Sequence, residues 1–386
     1  MNTYYRLGLR PIFRIFQYIG ICFLFQAVKG YSTCQPDFRT ASAENRKFTI
    51  GFMENAEKNL PLTLTFVLIG NAEEKHDLLP NIVNITSSLF EISVIQHEAT
   101  ETVYLPSSLV ISGSRLGFIG IEISSSAEIR VFGINTASSR YLDGFLALPI
   151  EKLGCQYYVA SYTRSQVLIV GIENNTSLSV LIKAEVMFDN KQIHAGQFVN
   201  LTLRRFQAAQ LQSELDLSGS LITSSKPITV MAGSMCATLS SNGLHCNHLV
   251  EQLPPLESWG STFILTSSQI SRSSDLFRIF SKENNTVVTI ITITTSHHTT
   301  NLTIDEGQFH EIFLSGSEHA WIETFERIMV VQYRGYFMEA SGLGGPSMCV
   351  QAALETFDSS PVTLSIFDVT TDGVNRFRNS IAVFTL

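Results

Sequence analysis

The sequence predicts an all-β protein built from tandem β-sandwich-like repeats of roughly 100 residues each. Two observations carry that expectation. Apolar runs rich in Val, Ile, Thr, Phe and Tyr recur along the chain, separated by Asn, Gly, Ser and Pro, which is the pattern of strands joined by turns. The same short phrases also return at a regular interval. "LPIEKLGCQYYVAS" (148–161) and "PPLESWGSTFILTS" (254–267) align at a spacing of 106, placing Glu151 on Glu257, Leu153 on Trp259 and Gly154 on Gly260. "ENNT" stands at 173–176 and again at 283–286, and "GQF" at 196–198 and 307–309. "SSAEIRVFGIN" (125–135) matches "SSKPITVMAGS" (224–234), and "RIMVVQY" (327–333) follows after a similar interval. "ALETFDSSPVTL" (353–364) opens the series once more.

Taken in order, residues 1–30 read as a cleaved secretory signal. Arg6, Arg10 and Arg14 precede an apolar run over 15–28, and Val28 and Gly30 suit a signal-peptidase site. The run falls short of the ~20 residues that span a bilayer, and no other segment is long and apolar enough to do so. Residues 31–46 form a linker. Three complete repeats follow at 47–141, 142–247 and 248–346, and a fourth, truncated one occupies 347–386. In each, "LP…(L/W)G" opens a strand and an Asn-rich turn joins two strands, because Asn tolerates the left-handed region. "SS-x-x-I-x-V" then begins the closing strand, with Ile129, Ile228 and Ile328 expected to point into a core. The segment 204–216, "RRFQAAQLQSELD", is the one helix candidate, with mediocre helical periodicity. Leu153-Gly154 and Trp259-Gly260 are expected to wedge between neighbouring units.

The composition bounds the function. Hydrophobic residues make up 45% and charged residues 16%, which excludes a disordered chain. The formal net charge is −8 and no Lys/Arg cluster marks a phosphate-tracking face, so nucleic acid is not an expected partner. Sequons at Asn84, Asn174, Asn175, Asn200, Asn284 and Asn301 fit a secreted glycoprotein. Cys236 and Cys246 flank a turn-rich stretch and predict a local disulfide in an oxidising compartment. The spacing does not settle how Cys34, Cys155 and Cys349 pair.

Candidate chemistry is sparse. Cys236, His245, Cys246 and His248 offer zinc-ligand types, but the adjacency of His245, Cys246 and His248 favours the disulfide. His297-His298 sits in a Thr-rich strand-turn, where the two imidazoles are expected to face solvent. No nucleophile elbow, P-loop, dinucleotide fingerprint or zincin motif occurs. Glu151, Glu257 and Glu355 recur once per repeat, as structural hydrogen-bond partners would. The expectation is a protein without enzymatic activity and without a cofactor or metal.

The strings "YLDGFLALPIEKLGCQYYVASY", "SQVLIVGIENNTSLSV", "SSKPITVMAGSMCATL" and "HCNHLVEQLPPLESWGSTFIL" closely resemble the N-terminal domain family of IgGFc-binding proteins. The resemblance runs from about Lys47 to at least Tyr336. It implies secretion, often into mucus, and a binding or matrix role without catalysis. The family's name implies immunoglobulin Fc binding. No von Willebrand type D, trypsin-inhibitor-like or EGF-like cysteine framework occurs in this chain. The combined reading is a secreted, glycosylated binding protein acting in mucus, extracellular matrix or host defence. Its partner would be an extracellular protein or glycoprotein. The alternative is an adhesion or spacer module with no specific ligand site.

Overall fold

The computed structural model describes residues 46–58, 62–68, 81–96, 100–136, 142–239, 246–267, 274–294, 296–316, 318–335, 346–356, 363–369 and 377–383. The expected signal over 1–30 and all but the last residue of the linker lie outside them. Among the described residues the regular elements are strands and short 3-10 turns, and the fold is all-β. The helix candidate at 204–216 is not helical: Gln207–Ser213 is a strand. Its alternate side chains serve two different cores, and that tertiary demand overrides a weak helical pattern.

The strands form three sets with one pairing order. In the first, Lys47–Ile50, Ile121–Ser125, Asn81–Ser87 and Glu91–Gln96 make one sheet. Thr100–Leu105, Leu62–Leu68, Ile129–Thr136 and Leu142–Leu146 make the other. In the second set the long strand Leu221–Ala237 takes the place of Ile121–Ser125 and Ile129–Thr136 together. Its first part pairs with Gly154–Tyr158 and Thr176–Leu181, and its second with Ser165–Gly171 and Asn247–Gln252. His319–Arg334 does the same in the third set, between Gly260–Thr266, Thr286–Ile293, Asp275–Ser281 and Ser347–Val350. Ile129, Ile228 and Ile328 hold equivalent places, opposite Leu68, Gly171 and Ser281. All three are buried, at 1%, 0% and 0% exposure. We call these sets the first, second and third units; Leu142–Leu146 pairs with the first.

Local chemistry explains the repeated phrases. In "ENNT" the second Asn adopts positive φ, 59° at Asn175 and 56° at Asn285, a conformation Asn accepts more readily than most residues. The following Thr closes the turn, its Oγ1 donating to the Glu carbonyl at 2.9 Å in both copies. Thr176–Leu181 and Thr286–Ile293 then alternate buried and outward residues, as one-sided strands do. Ser165–Gly171 and Asp275–Ser281 are instead buried throughout. Each has a second unit on its far face: Val167 and Ile169 pack into one core, Leu168 and Val170 into the first unit's.

The units interlock. Arg115–Phe118 leaves the first unit and pairs antiparallel with Gln207–Ser213 of the second. A 3-10 turn closes each unit, at Ile150–Lys152, Leu256–Ser258 and Leu354–Thr356. The recurring Glu lies on it, and the Glu355 carboxylate accepts from the Ser261 main-chain N–H and hydroxyl and from Thr262 N. Backbone approach there is close: a Cβ on Gly154 would lie 2.7 Å from Pro255, so only glycine fits. Leu153 and Trp259, which precede these glycines, are 0% and 3% exposed. The Trp259 ring meets Tyr158 of the second unit at 6.1 Å within a core that the second and third units share.

Candidate binding site

A cleft of about 750 Å³ opens where the first and second units meet. One wall is Ser112–Arg115 of the first unit, and the other is the hairpin Val186–Phe188/Lys191–Ile193 of the second. Asp189 and Asn190 turn that hairpin with φ of 46° and 63°. Positive φ at both central residues marks a two-residue turn whose twist suits a hairpin. Val186 and Phe188 are buried in the core, which pushes Met187 outward to 53% exposure. Asp189 N donates to Ser114 O at 3.2 Å, and Ser213 Oγ to Glu185 O at 2.6 Å, so both walls are fixed.

Behind the first wall lies a buried polar network. Glu54 accepts from Ser112 Oγ (2.6 Å), Gly113 N (2.8 Å) and Gln212 Nε2 (2.9 Å). Burial raises its pKa, but those bonds and the Lys58 charge outweigh burial and hold the carboxyl below its usual range. Gln166 Nε2 donates to Glu54 O at 2.8 Å, and Gln210 Nε2 to Ile111 O at 2.9 Å, tying the second unit's strands to the first unit's loops. His248 lies deeper, its Nε2 3.3 Å from Asn135 Nδ2 and its Nδ1 3.4 Å from Gln166 Nε2. Burial pushes its pKa down to about 4, against main-chain bonds to Ser234 and Met235 that act upward. At neutral pH it is an uncharged hydrogen-bonding strut.

The mouth is mixed. Arg115, Arg164, Glu185, Asp189 and Glu214 supply both charges, with Arg164 Nε 3.5 Å from Glu214 Oε2. Met187 and Leu215, at 53% and 58% exposure, supply apolar contact. Fixed walls, exposed apolar side chains and surrounding charge of both signs suit the recognition of a macromolecular surface.

A sequence profile described as IgGFc binding protein matches residues 143–383, well over half of the chain. The chain belongs to the IgGFc-binding protein family. Human IgGFc-binding protein is 28% identical over 236 residues, which is 60% of this chain and 4% of that protein. The chain therefore matches about 4% of the length of this curated relative. A crystal structure of a tetra-tandem repeat in the extending region of a large adhesion protein aligns with 74% of this chain and 69% of its own. Its identity to this chain is 11%, with a TM-score of 0.12. The family match takes in the second and third units and the hairpin wall of the cleft, and begins at Asp143.

Asp143 is itself a junction residue. Its carboxylate is fully buried and accepts from Gly144 N (3.0 Å), Val250 N (3.1 Å) and the main chain of Met348. It thus joins Leu142–Leu146, Asn247–Gln252 and Ser347–Val350, the last strand of each of the three units. Burial drives its pKa well above the usual range, against those three main-chain bonds.

The residues singled out in the sequence fall elsewhere. Cys236 and Cys246 form a disulfide, with Cα atoms 5.0 Å apart. Cys155 is also disulfide-bonded, while Cys349 is a buried thiol and Cys34 lies outside the described residues. His248 faces amides, and His245 lies outside the described residues. Among the described residues no group of three His, Cys, Asp or Glu is placed to hold a metal ion. Asn174, Asn175, Asn200, Asn284 and Asn301 are exposed; Asn84 is half-buried and accepts from Ser93 Oγ at 2.6 Å. Glu54, Asp143 and Arg278 were not singled out. For Arg278 a signal existed: a lone cation inside the apolar run "DLFRIF" needs a partner if that strand is buried.

Proposed function

We propose that this chain is a secreted, glycosylated, non-enzymatic binding protein of mucus, extracellular matrix or host-defence surfaces. Its partner is an extracellular protein or glycoprotein, with immunoglobulin Fc the first to test, given the name of the human relative. The proposal includes cleavage of residues 1–30, glycans on the exposed sequons, and three complete repeats with a partial fourth. The observation that supports it most is the cleft between interlocked units, with Met187 and Leu215 exposed among charges of both signs. No helix among the described residues is long and apolar enough to cross a membrane.

The test is capture by the secreted, glycosylated chain of extracellular proteins, with immobilised Fc as the first probe. Met187→Asp with Leu215→Asp should abolish capture and leave thermal unfolding unchanged. Undiminished capture by that variant would place the site elsewhere. The interlocked junctions favour one competing role, a stiff spacer, for which no ligand is captured by either protein.

A further inference from the structure

The sheet of the second unit does not end on its own last strand. Arg115–Phe118, supplied by the first unit, pairs along the outer edge of Gln207–Ser213. The strand equivalent to Gln207–Ser213 in the third unit is Phe309–Leu314. Both lie beside the central strand of their sheet, with Ala208 opposite Val170 and Phe309 opposite Phe280. Among the described residues no strand pairs with the outer edge of Phe309–Leu314. The reason is chain length. The first unit has residues 106–120 between its strands to make the crossing, whereas the second has only 214–220 at the same point.

An open edge of this kind offers main-chain donors and acceptors to any extended segment, and natural sheets blunt such edges with charge, proline or cover. Here the edge reads FHEIFL, without proline or lysine, and its one carboxylate, Glu311, shares Arg278 (Nε at 2.9 Å) with Asp216, which leaves one net negative charge beside the edge. Phe313 projects from it at 63% exposure. We infer that Phe309–Leu314 is a docking edge that takes an extended segment of an extracellular partner protein as an added antiparallel strand.

The filled edge specifies the chemistry of that segment. Arg115 stands opposite Gln210, Leu116 opposite Ala209 and Gly117 opposite Ala208. Gln210 corresponds to Glu311, Ala209 to His310 and Ala208 to Phe309. The incoming strand therefore places a basic residue opposite Glu311, an apolar one opposite His310, and a small one opposite Phe309. Leu116 packs onto the core of the second unit, the unit whose edge it fills, and the apolar residue of the partner would likewise cover the third unit's core beside Ile312. Pairing of this edge with its counterpart in a second copy is disfavoured, because an antiparallel two-fold brings the two Glu311 side chains onto one short ladder.

This inference rests on the reading of a binding protein, but its test needs no natural ligand. The probe is a labelled synthetic peptide with the sequence of residues 112–119, SGSRLGFI, added to the full secreted chain. Saturable binding is expected, with slowed amide exchange over Phe309–Leu314. Phe313→Lys, at an exposed position, and Glu311→Lys should each weaken binding at least tenfold. A peptide with Glu in place of its Arg should recover binding to Glu311→Lys; if that variant misfolds by circular dichroism, Phe313→Lys alone decides. No saturable binding, protection confined to Gln207–Ser213, or binding indifferent to Phe313→Lys would overturn the docking edge. Capture through the cleft would survive that failure, and loss of cleft capture would leave peptide binding intact.

Discussion

Arg278 of the third unit donates through Nη1 to the Ser161 main-chain carbonyl of the second at 2.8 Å. The same nitrogen reaches Asp216 Oδ2 at 2.6 Å and Ser218 Oγ at 3.0 Å, while Nε holds Glu311. Phe309, Tyr162 and Tyr333 surround the guanidinium with ring centroids 4.5, 5.0 and 5.2 Å away. Tyr333 Oη donates to the same Ser161 carbonyl at 2.8 Å. Where the junction of the first and second units buries Leu168, this one buries a cation at the equivalent strand position.

Removing that cation leaves Asp216 and the Ser161 carbonyl facing a buried gap. Arg278→Ala should destabilise the chain by about 3–5 kcal/mol, the range for breaking one side of a buried ion pair. Arg278→Lys should recover only part, because an ammonium cannot bond Asp216, Ser161 and Glu311 in one plane. Denaturant unfolding of both variants measures this; equal stability of Arg278→Ala and the parent would show that the node is not under stress.

His248 predicts a pH dependence. Its folded pKa, about 4, is below its unfolded value near 6.5, so the unfolded chain binds the extra proton between those values. Stability should therefore fall as pH drops from about 6.5 to about 4, by an order of 3 kcal/mol at ~1.4 kcal/mol per unit, and level off below. Glu54 and Asp216, with lowered pKa values, lose stability further down, as pH falls through the carboxylate range. Asp143, with a raised pKa, acts in the opposite sense and loses stability as pH rises through its folded value. His248→Gln isolates the first effect: the difference between variant and parent should vanish in slope outside pH 4–6.5. A parent stability curve with the same slope as the variant inside that window would refute the assignment.

The strands, their punctuation and the buried isoleucines were legible because they follow from local rules: alternation, Asn at positive φ, and repetition. The cleft was not, since its walls lie at 112–115 and 185–192 and meet only because Arg115–Phe118 crosses to another unit. A crossing strand of four residues has no pattern of its own. In the sequence His248 stands among zinc-ligand types, because composition shows the imidazole and hides the Asn135 and Gln166 amides that satisfy it. Recurrence once per repeat marks Glu355 as a structural hydrogen-bond partner, and it bonds the first strand of its own unit.

The Cys236–Cys246 disulfide closes a loop with a sequence separation of 10 beside the strand that carries His248. By loop entropy it contributes about 2–3 kcal/mol. The double variant Cys236→Ser/Cys246→Ser should lose that amount and remain folded, since Ala237 and Leu239 stay anchored in the core that the second and third units share. Using the variant rather than a reductant leaves the Cys155 disulfide in place. Non-reducing peptide mapping of the secreted parent that finds both thiols unlinked would contradict the bond.

Trp259 separates a junction wedge from a ligand anchor. Its indole is 3% exposed, packs on Tyr158 of the second unit, and donates Nε1–H to Pro254 O at 3.4 Å. Truncation to Ala should cost about 3–5 kcal/mol, the range for deleting a buried aromatic. The loss should be felt by both units at once, because Tyr158, Met329 and Val350 line the same core. Trp259→Phe keeps most of the buried area and should recover most of the stability. Capture of a ligand at the cleft should be unchanged by Trp259→Phe. An indole acting as a ligand anchor would behave oppositely, with Trp259→Ala abolishing capture at an unchanged melting temperature. Calorimetry and capture on the same two variants decide between them. A wedge also predicts that Trp259→Ala speeds amide exchange in Gly154–Tyr158 and Gly260–Thr266 together, whereas a surface anchor would leave both strands protected.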